Sequence, residues 1–193
     1  MMNKKMDKAL HIDTSGIVQY YSDIHHNRYE PTDYRVLVRL KDYIDEKTIL
    51  LDYGCGKGRV DFFFRKFCGA KCIGIEYNQQ VYEQALNNLK TSKLDGIEFV
   101  LGDASKYEVG NDVNCFYFFN PFSIQIFQKV MNQILISYYE KTRKIQIILY
   151  YASEEYISYL FSLELLKLVQ EIDVNDIFSS NNDKERILLW EMI

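Results

Sequence analysis

Ten residues, Leu50-Leu51-Asp52-Tyr53-Gly54-Cys55-Gly56-Lys57-Gly58-Arg59, constrain this chain more than any other stretch. A run from Thr48 to Leu51 leads into glycine at three alternating positions, and a helical pattern follows. Glycine at that density serves a backbone that must adopt positive φ and let a ligand approach with no Cβ in the way. At the carboxyl end of a first strand, such a loop marks a nucleoside-type site in an open α/β sheet. The spacing is G-x-G-x-G with an acid two residues before it, whereas a dinucleotide fingerprint would need glycine where Arg59 stands.

From Thr48 onward, short β-branched or aromatic runs alternate with helical patterns, which predicts βαβ units and a parallel sheet. Strands are predicted at Thr48–Asp52, Lys71–Glu76, Ile97–Leu101, Val113–Phe119 and Ile145–Tyr151. Helices are predicted at Arg59–Phe67, Gln79–Thr91, Ser123–Thr142 and Glu154–Leu163. The nearly unbroken apolar run from Val113 to Phe119 suits a central strand covered on both faces. Two more strands, Leu165–Val174 and Arg186–Met192, flank a polar loop at the C-terminus. Residues 1–47 stand apart as an aromatic and polar segment expected to cover the active site, with 48–193 as the nucleoside-binding domain. Within that segment Met1 to Lys8 is expected to fray. A helix is expected through Val36, Leu37, Leu40 and Ile44, with Thr32 as its N-cap.

Four further features fall at strand ends. Glu76 closes the second strand about twenty residues past the glycine loop, where a carboxylate can accept both hydroxyl protons of a ribose. Gly102-Asp103-Ala104 follows the third strand, and Asn120-Pro121-Phe122 closes the fourth. Ahead of the domain lies Tyr29-Glu30-Pro31-Thr32.

In this order and spacing the motifs resemble the class I S-adenosylmethionine-dependent methyltransferases. The resemblance implies an α/β fold: a doubly wound, mostly parallel seven-stranded sheet with helices on both faces and an antiparallel C-terminal strand. It implies S-adenosyl-L-methionine as cofactor. The loop Asp52, Tyr53, Gly54, Cys55, Gly56 and Gly58 would wrap its methionine part, with Asp52 near the amino group. Glu76 and Tyr77 would take the ribose side, Asp103 and Ala104 the adenine, and Asn120 would border the donor. Thr32 and Tyr29 resemble a Pro-Thr element that closes over the donor carboxylate; a capped helix with a hydrophobic staple explains them equally.

Catalysis is assigned to Asn120, Pro121 and Phe122. A planar amine or amide can be held by the Asn120 side-chain oxygen and a backbone carbonyl fixed by the proline, while Phe122 stacks on the acceptor or lies against the sulfonium. Family members acting on amino groups often carry a second proline here, which this chain lacks. The methyl acceptor itself is not named by the sequence. A protein side-chain nitrogen is expected first, on the Pro-Thr element and Asn120; a nucleobase nitrogen comes next, since the net charge of −4 offers no general attraction for nucleic-acid phosphates, and a small metabolite third. Two other classes stay open: a non-catalytic nucleoside-binding protein and an NAD-dependent oxidoreductase.

Cys55, Cys68, Cys72 and Cys115 form no C-x-x-C pair, so reduced thiols and no metal site are expected. No apolar run approaches a membrane span and no secretory signal is legible, so a soluble cytoplasmic protein is expected. His11, His25 and His26 are read as solvated, and Lys57 and Arg59 as either surface residues or partners of the donor carboxylate.

Overall fold

The structure is a computed structural model and describes residues 2–18, 27–178 and 182–192. It opens with helix α1 (Met2–Leu10) and the short helix α2 (Tyr34–Val38), followed by a 3₁₀ turn at Lys41–Tyr43. Strand β1 (Ile49–Tyr53), helix α3 (Arg59–Cys68), strand β2 (Lys71–Glu76), helix α4 (Gln79–Ser92) and strand β3 (Ile97–Leu101) form the first half of the sheet. The second half runs through β4 (Cys115–Phe118), α5 (Ile124–Glu140), β5 (Gln146–Tyr150), α6 (Glu154–Phe161), β6 (Leu166–Asp173) and β7 (Arg186–Met192).

The seven strands lie in the order β3-β2-β1-β4-β5-β7-β6. Every pairing from β3 to β5 is parallel, while β7 runs antiparallel to both β5 and β6. This is the doubly wound sheet that the resemblance implies, and its strand order reverses between β1 and β4. There the loops after β1 and β4 diverge to opposite faces and leave a crevice, the place where such sheets bind ligands. Two apolar layers cover the sheet. One packs α3 and the N-terminal segment through Leu10, Tyr34, Leu37, Phe62 and Phe63. The other packs α5 and α6 through Phe116, Phe127, Met131, Ile134 and Tyr156.

The expected strands and helices match to within one or two residues at nearly every end. Three N-terminal expectations are corrected. Residues 2–10 do not fray but form α1, because Asp7 is buried and accepts from the Thr14 amide and hydroxyl and from the Tyr34 hydroxyl at 2.6 Å. The N-cap of α2 is Asp33 rather than Thr32: the Asp33 carboxylate accepts from the Arg35 amide, while the Thr32 hydroxyl is shared with Tyr117. The apolar spacing through Ile44 spans a helix and a 3₁₀ turn rather than one continuous helix.

Arg59 is a further correction, since it is neither a surface residue nor in the cleft described below. Its guanidinium is buried, donates to Thr14 Oγ1 at 2.6 Å and to the Thr32 carbonyl at 3.0 Å, pairs with Asp7 at 3.5 Å, and lies over the Tyr34 ring. One buried cation therefore fastens α1, the 11–18 stretch and the approach to α2 onto the first turn of α3. Removing one partner of a buried ion pair leaves the other charge uncompensated. Arg59→Met should lower the unfolding free energy by roughly 3–5 kcal/mol. Arg28→Ala, which removes only the exposed Arg28–Glu30 pair, should change it by less than about 1 kcal/mol. Urea denaturation of both variants checks the contrast.

Candidate active site

Gly54, Gly56 and Gly58 all lie in the left-handed region, with φ of 76°, 59° and 86°. Each also admits a neighbour that a side chain would exclude. A Cβ at Gly54 would stand 2.7 Å from Pro121 Cβ, at Gly56 2.1 Å from Tyr29 Cε2, and at Gly58 2.4 Å from Phe99 Cζ. The loop after β1 is thereby packed against the exit of β4, the N-terminal segment and β3 at once. Its amides are held as well. Gly54 and Cys55 both donate to the Ile75 carbonyl, at 2.9 and 3.0 Å, and Gly56 donates to Glu76 Oε2 at 3.0 Å. The other carboxylate oxygen of Glu76 accepts from the Asn78 amide at 2.8 Å.

Above the strand ends lies an open cleft of about 550 Å³. Gly54, Glu76, Tyr77, Gly102 and Ala104 line one side of it, and Phe119, Pro121 and Phe122 line another. Residues Asn27 to Glu30 form the remaining wall. This wall is tied down at both ends. The Asn27 amide donates to the Pro121 carbonyl at 2.9 Å and its side-chain Nδ2 donates to the Asn120 carbonyl at 2.6 Å. At the other end Tyr29 pairs with Val18 through both backbone groups, its hydroxyl donates to the Thr14 carbonyl, and its ring covers Gly56.

The cleft thus gathers Gly54, Glu76, Tyr77, Ala104, Pro121, Phe122 and Tyr29 from the expected set, with Gly56 behind the Tyr29 ring. Other expected residues stand behind it. Tyr53 is buried against Phe116, Phe118 and Phe122. Cys55 packs on Gly74, and burial pushes its thiol upward. Thr32 is pinned between Arg59 and Tyr117. Asp103 turns its carboxylate to cap the following 3₁₀ turn, accepting from the Ser105 amide and hydroxyl at 2.9 and 2.7 Å. Burial alone would raise the pKa of Asp103, but those bonds and Lys106 outweigh it and the net shift is downward. Asn120 sits at the end of β4 in the left-handed region, φ 43°, an uncommon place for a non-glycine residue and one where strain gathers at functional sites. Phe122 is nearly enclosed by the rings of Tyr53, Phe118 and Tyr156, so little of it is open to the cleft.

Lys57, like Arg59, is buried; its ammonium donates to the Ser15 carbonyl at 2.6 Å and lies over the Tyr29 ring. His25 and His26 lie outside the described residues, and exposed His11 closes α1 away from the cleft. Sequence reasoning missed Asn27, Arg28, Phe119 and Asp61. Asn27 and Arg28 adjoin the Pro-Thr element, which was a usable signal; Asp61 carried none.

Asp61, on the first turn of α3, meets Asp52 from β1 behind the loop, and both are almost wholly buried. Neither Asp61 oxygen, nor Asp52 Oδ2, receives a hydrogen bond from any other group among the described residues. Two carboxyl groups can hydrogen-bond each other only if one keeps its proton. Burial pushes both upward, Asp52 to about 8, and the nearby Glu76 charge adds to the rise at Asp52. Among the described residues no cluster of His, Cys, Asp and Glu could hold a metal ion, and no helix is long and apolar enough to cross a membrane.

The cleft fits the adenosyl donor that the resemblance implies. Backbone without Cβ faces it at Gly54 and Gly102, a buried carboxylate stands at the end of β2, and aromatic rings line the side nearer β4.

Comparison with known proteins agrees with this geometry. A family model described as a methyltransferase domain matches residues 44–174. Among curated proteins, ribosomal protein L11 methyltransferase from Methylobacillus flagellatus is 29% identical over 73 residues, which span 38% of this chain and 25% of the relative. An RNA methyltransferase from Salinibacter ruber, solved with S-adenosyl-L-homocysteine, superposes with a TM-score of 0.61 at 17% identity over 84% of this chain and 94% of the other. An rRNA methylase from Streptococcus thermophilus gives 0.59 at 12% identity over 85% and 98%. A precorrin 8w decarboxylase from Methanobacterium thermoautotrophicum gives 0.61 at 16% identity over 86% and 92%. At these identities the structural likeness is one of fold. The family match spans more than half the length, and with the strand order and loop positions it leads to one conclusion: the chain belongs to the class I, Rossmann-like S-adenosylmethionine-dependent methyltransferases.

Proposed function

We propose that this methyltransferase acts on a nitrogen presented at the exit of β4, and that the nitrogen belongs to a protein side chain. One observation carries the reading: the Asn27 carboxamide donates an N–H to the Asn120 carbonyl at 2.6 Å, beside the cleft. That bond sets a side-chain amide against the backbone at the exit of β4, one residue before the Pro121 carbonyl assigned to the acceptor. The partial match to a ribosomal protein methyltransferase supports a protein acceptor, and the RNA methyltransferases of like fold name its rival.

In this reading residues 1–47 cover the active site and 48–193 bind the donor. Gly54, Gly56 and Gly58, with Asp52, Tyr53 and Cys55 beneath them, shape the wall for the methionine part. Glu76 accepts from the ribose hydroxyls beside Tyr77. Ala104 and Asp103 border the adenine, and Tyr29 and Thr32 close the loop side. Bound S-adenosylmethionine supplies a methyl group already activated by its sulfonium. The chain's work is therefore orientation and exclusion of water, and aligned reactants can gain on the order of 7–11 kcal/mol that way. The Asn120 side-chain oxygen and the Pro121 carbonyl accept the acceptor's protons and turn its lone pair toward the methyl. Asn27 must release that carbonyl first. A carboxamide or aromatic amine held so requires no strong base, whereas a lysine would first have to lose a proton from a group of pKa about 10.

Three outcomes are expected. Glu76→Gln should weaken S-adenosylhomocysteine binding by about 10- to 100-fold by calorimetry, since a buried charged acceptor is lost. Asn120→Ala should cut methyl transfer by roughly 100-fold or more while the dissociation constant stays within about threefold. In a lysate lacking this protein, added enzyme with tritiated donor should label protein that survives ribonuclease. Label confined to RNA would contradict the protein acceptor, and absence of any label would favour a nucleoside-binding protein.

A further inference from the structure

Behind the glycine loop lies a buried acid pair, Asp52 and Asp61, and the proposed function gives Asp61 no part. Asp52 comes from the last turn of β1 before the loop, and Asp61 from the first turn of α3 after it. The two carboxyl groups therefore clasp the loop from both ends. Among the described residues no cation pairs with them. Arg59, two residues before Asp61, turns the other way to Thr14, Thr32 and Asp7. The groups that do face the pair are Glu76 on β2, the thiols of Cys55 and Cys72, and the Tyr117 phenol on β4. None of these is positive at neutral pH. Glu76 is the link to the cleft, since it lines it and also holds Gly56.

We propose that Asp61 is a positioning residue that shares a proton with Asp52, and that this pair makes the site prefer the cationic donor over its neutral product. The inference rests on the assignment of the cleft to S-adenosylmethionine. In the free protein, two buried carboxylates without a countercharge would repel each other and Glu76, so a proton stays between them. A sulfonium entering the cleft brings a positive charge to the far side of the loop. That charge favours ionisation of the pair, and the proton leaves to bulk water. S-adenosylhomocysteine carries a neutral thioether at that position and exerts no such pull. Above neutral pH the pair ionises more readily, so preference for the donor should grow as pH rises. After transfer the positive charge is gone, the pair takes its proton back, and the product is held less firmly.

The test measures dissociation constants of S-adenosylmethionine and S-adenosylhomocysteine by calorimetry between about pH 6.5 and 9, in buffers of different ionisation enthalpy. Wild type should release more protons on binding the donor than the product, and its preference for the donor should rise on the order of tenfold across the range. Asp61→Asn keeps the shape and donates a permanent N–H to Asp52, so the pair no longer holds a proton to release. The amino groups of the ligands titrate in both proteins, and the wild-type-minus-variant difference isolates the pair. An infrared difference spectrum of wild type gives a reading that needs no variant: the protonated-carboxyl band should bleach with the donor and persist with the product. Equal proton release for both ligands, or a band unchanged by the donor, would overturn the proposal and leave the cofactor assignment intact. Failure of both ligands to bind would overturn the two together.

Discussion

The Glu76 carboxylate receives the backbone N–H of Gly56 on one oxygen and that of Asn78 on the other, and so joins the loop after β1 to the start of α4. Nearly everything else at the site depends on that bridge. It requires Gly56 to keep a left-handed backbone, which in turn leaves the space where Tyr29 lies. Tyr29 carries the strap from Asn27 to Glu30, and Asn27 reaches the carbonyls of Asn120 and Pro121 at the opposite side of the crevice. One carboxylate at a strand end thus sets the loop, the loop admits the strap, and the strap spans the cleft.

Buried charge is treated in two ways on either side of α3. Arg59 meets Asp7 together with hydroxyl and carbonyl acceptors, and this satisfied network fastens the N-terminal helix. Two residues later Asp61 meets another acid with no cation among the described residues, an arrangement tolerable only when a proton stays. The first arrangement stabilises the fold. The second raises the free energy of the ionised site, and natural proteins keep such features where ligands bind.

The sheet was legible because each strand is a short apolar run bounded by polar turns, and the C-terminal strand pair stood out around its polar loop. The glycine loop was legible for a related reason: left-handed backbone demands glycine, and glycine is visible in sequence. Polar partnerships over long sequence distances were not legible. Nothing near Met2–Leu10 indicates that Asp7 will meet Thr14, Tyr34 and Arg59, so a charged helix reads as a loose end. Thr32 and Asp33 are both good caps, and the choice between them falls to Tyr117 far along the chain. Asp61 follows the helical pattern as an ordinary acid, and only the fold turns it toward Asp52.

The most direct test of the account is a crystal structure of this protein with S-adenosylhomocysteine. The account predicts adenosine over Ala104 and Tyr77, ribose hydroxyls within hydrogen-bond distance of Glu76, and the thioether facing Asn120 beneath a strap still seated on Gly56. A ligand bound outside this crevice, or one whose ribose lies beyond reach of Glu76, would contradict it.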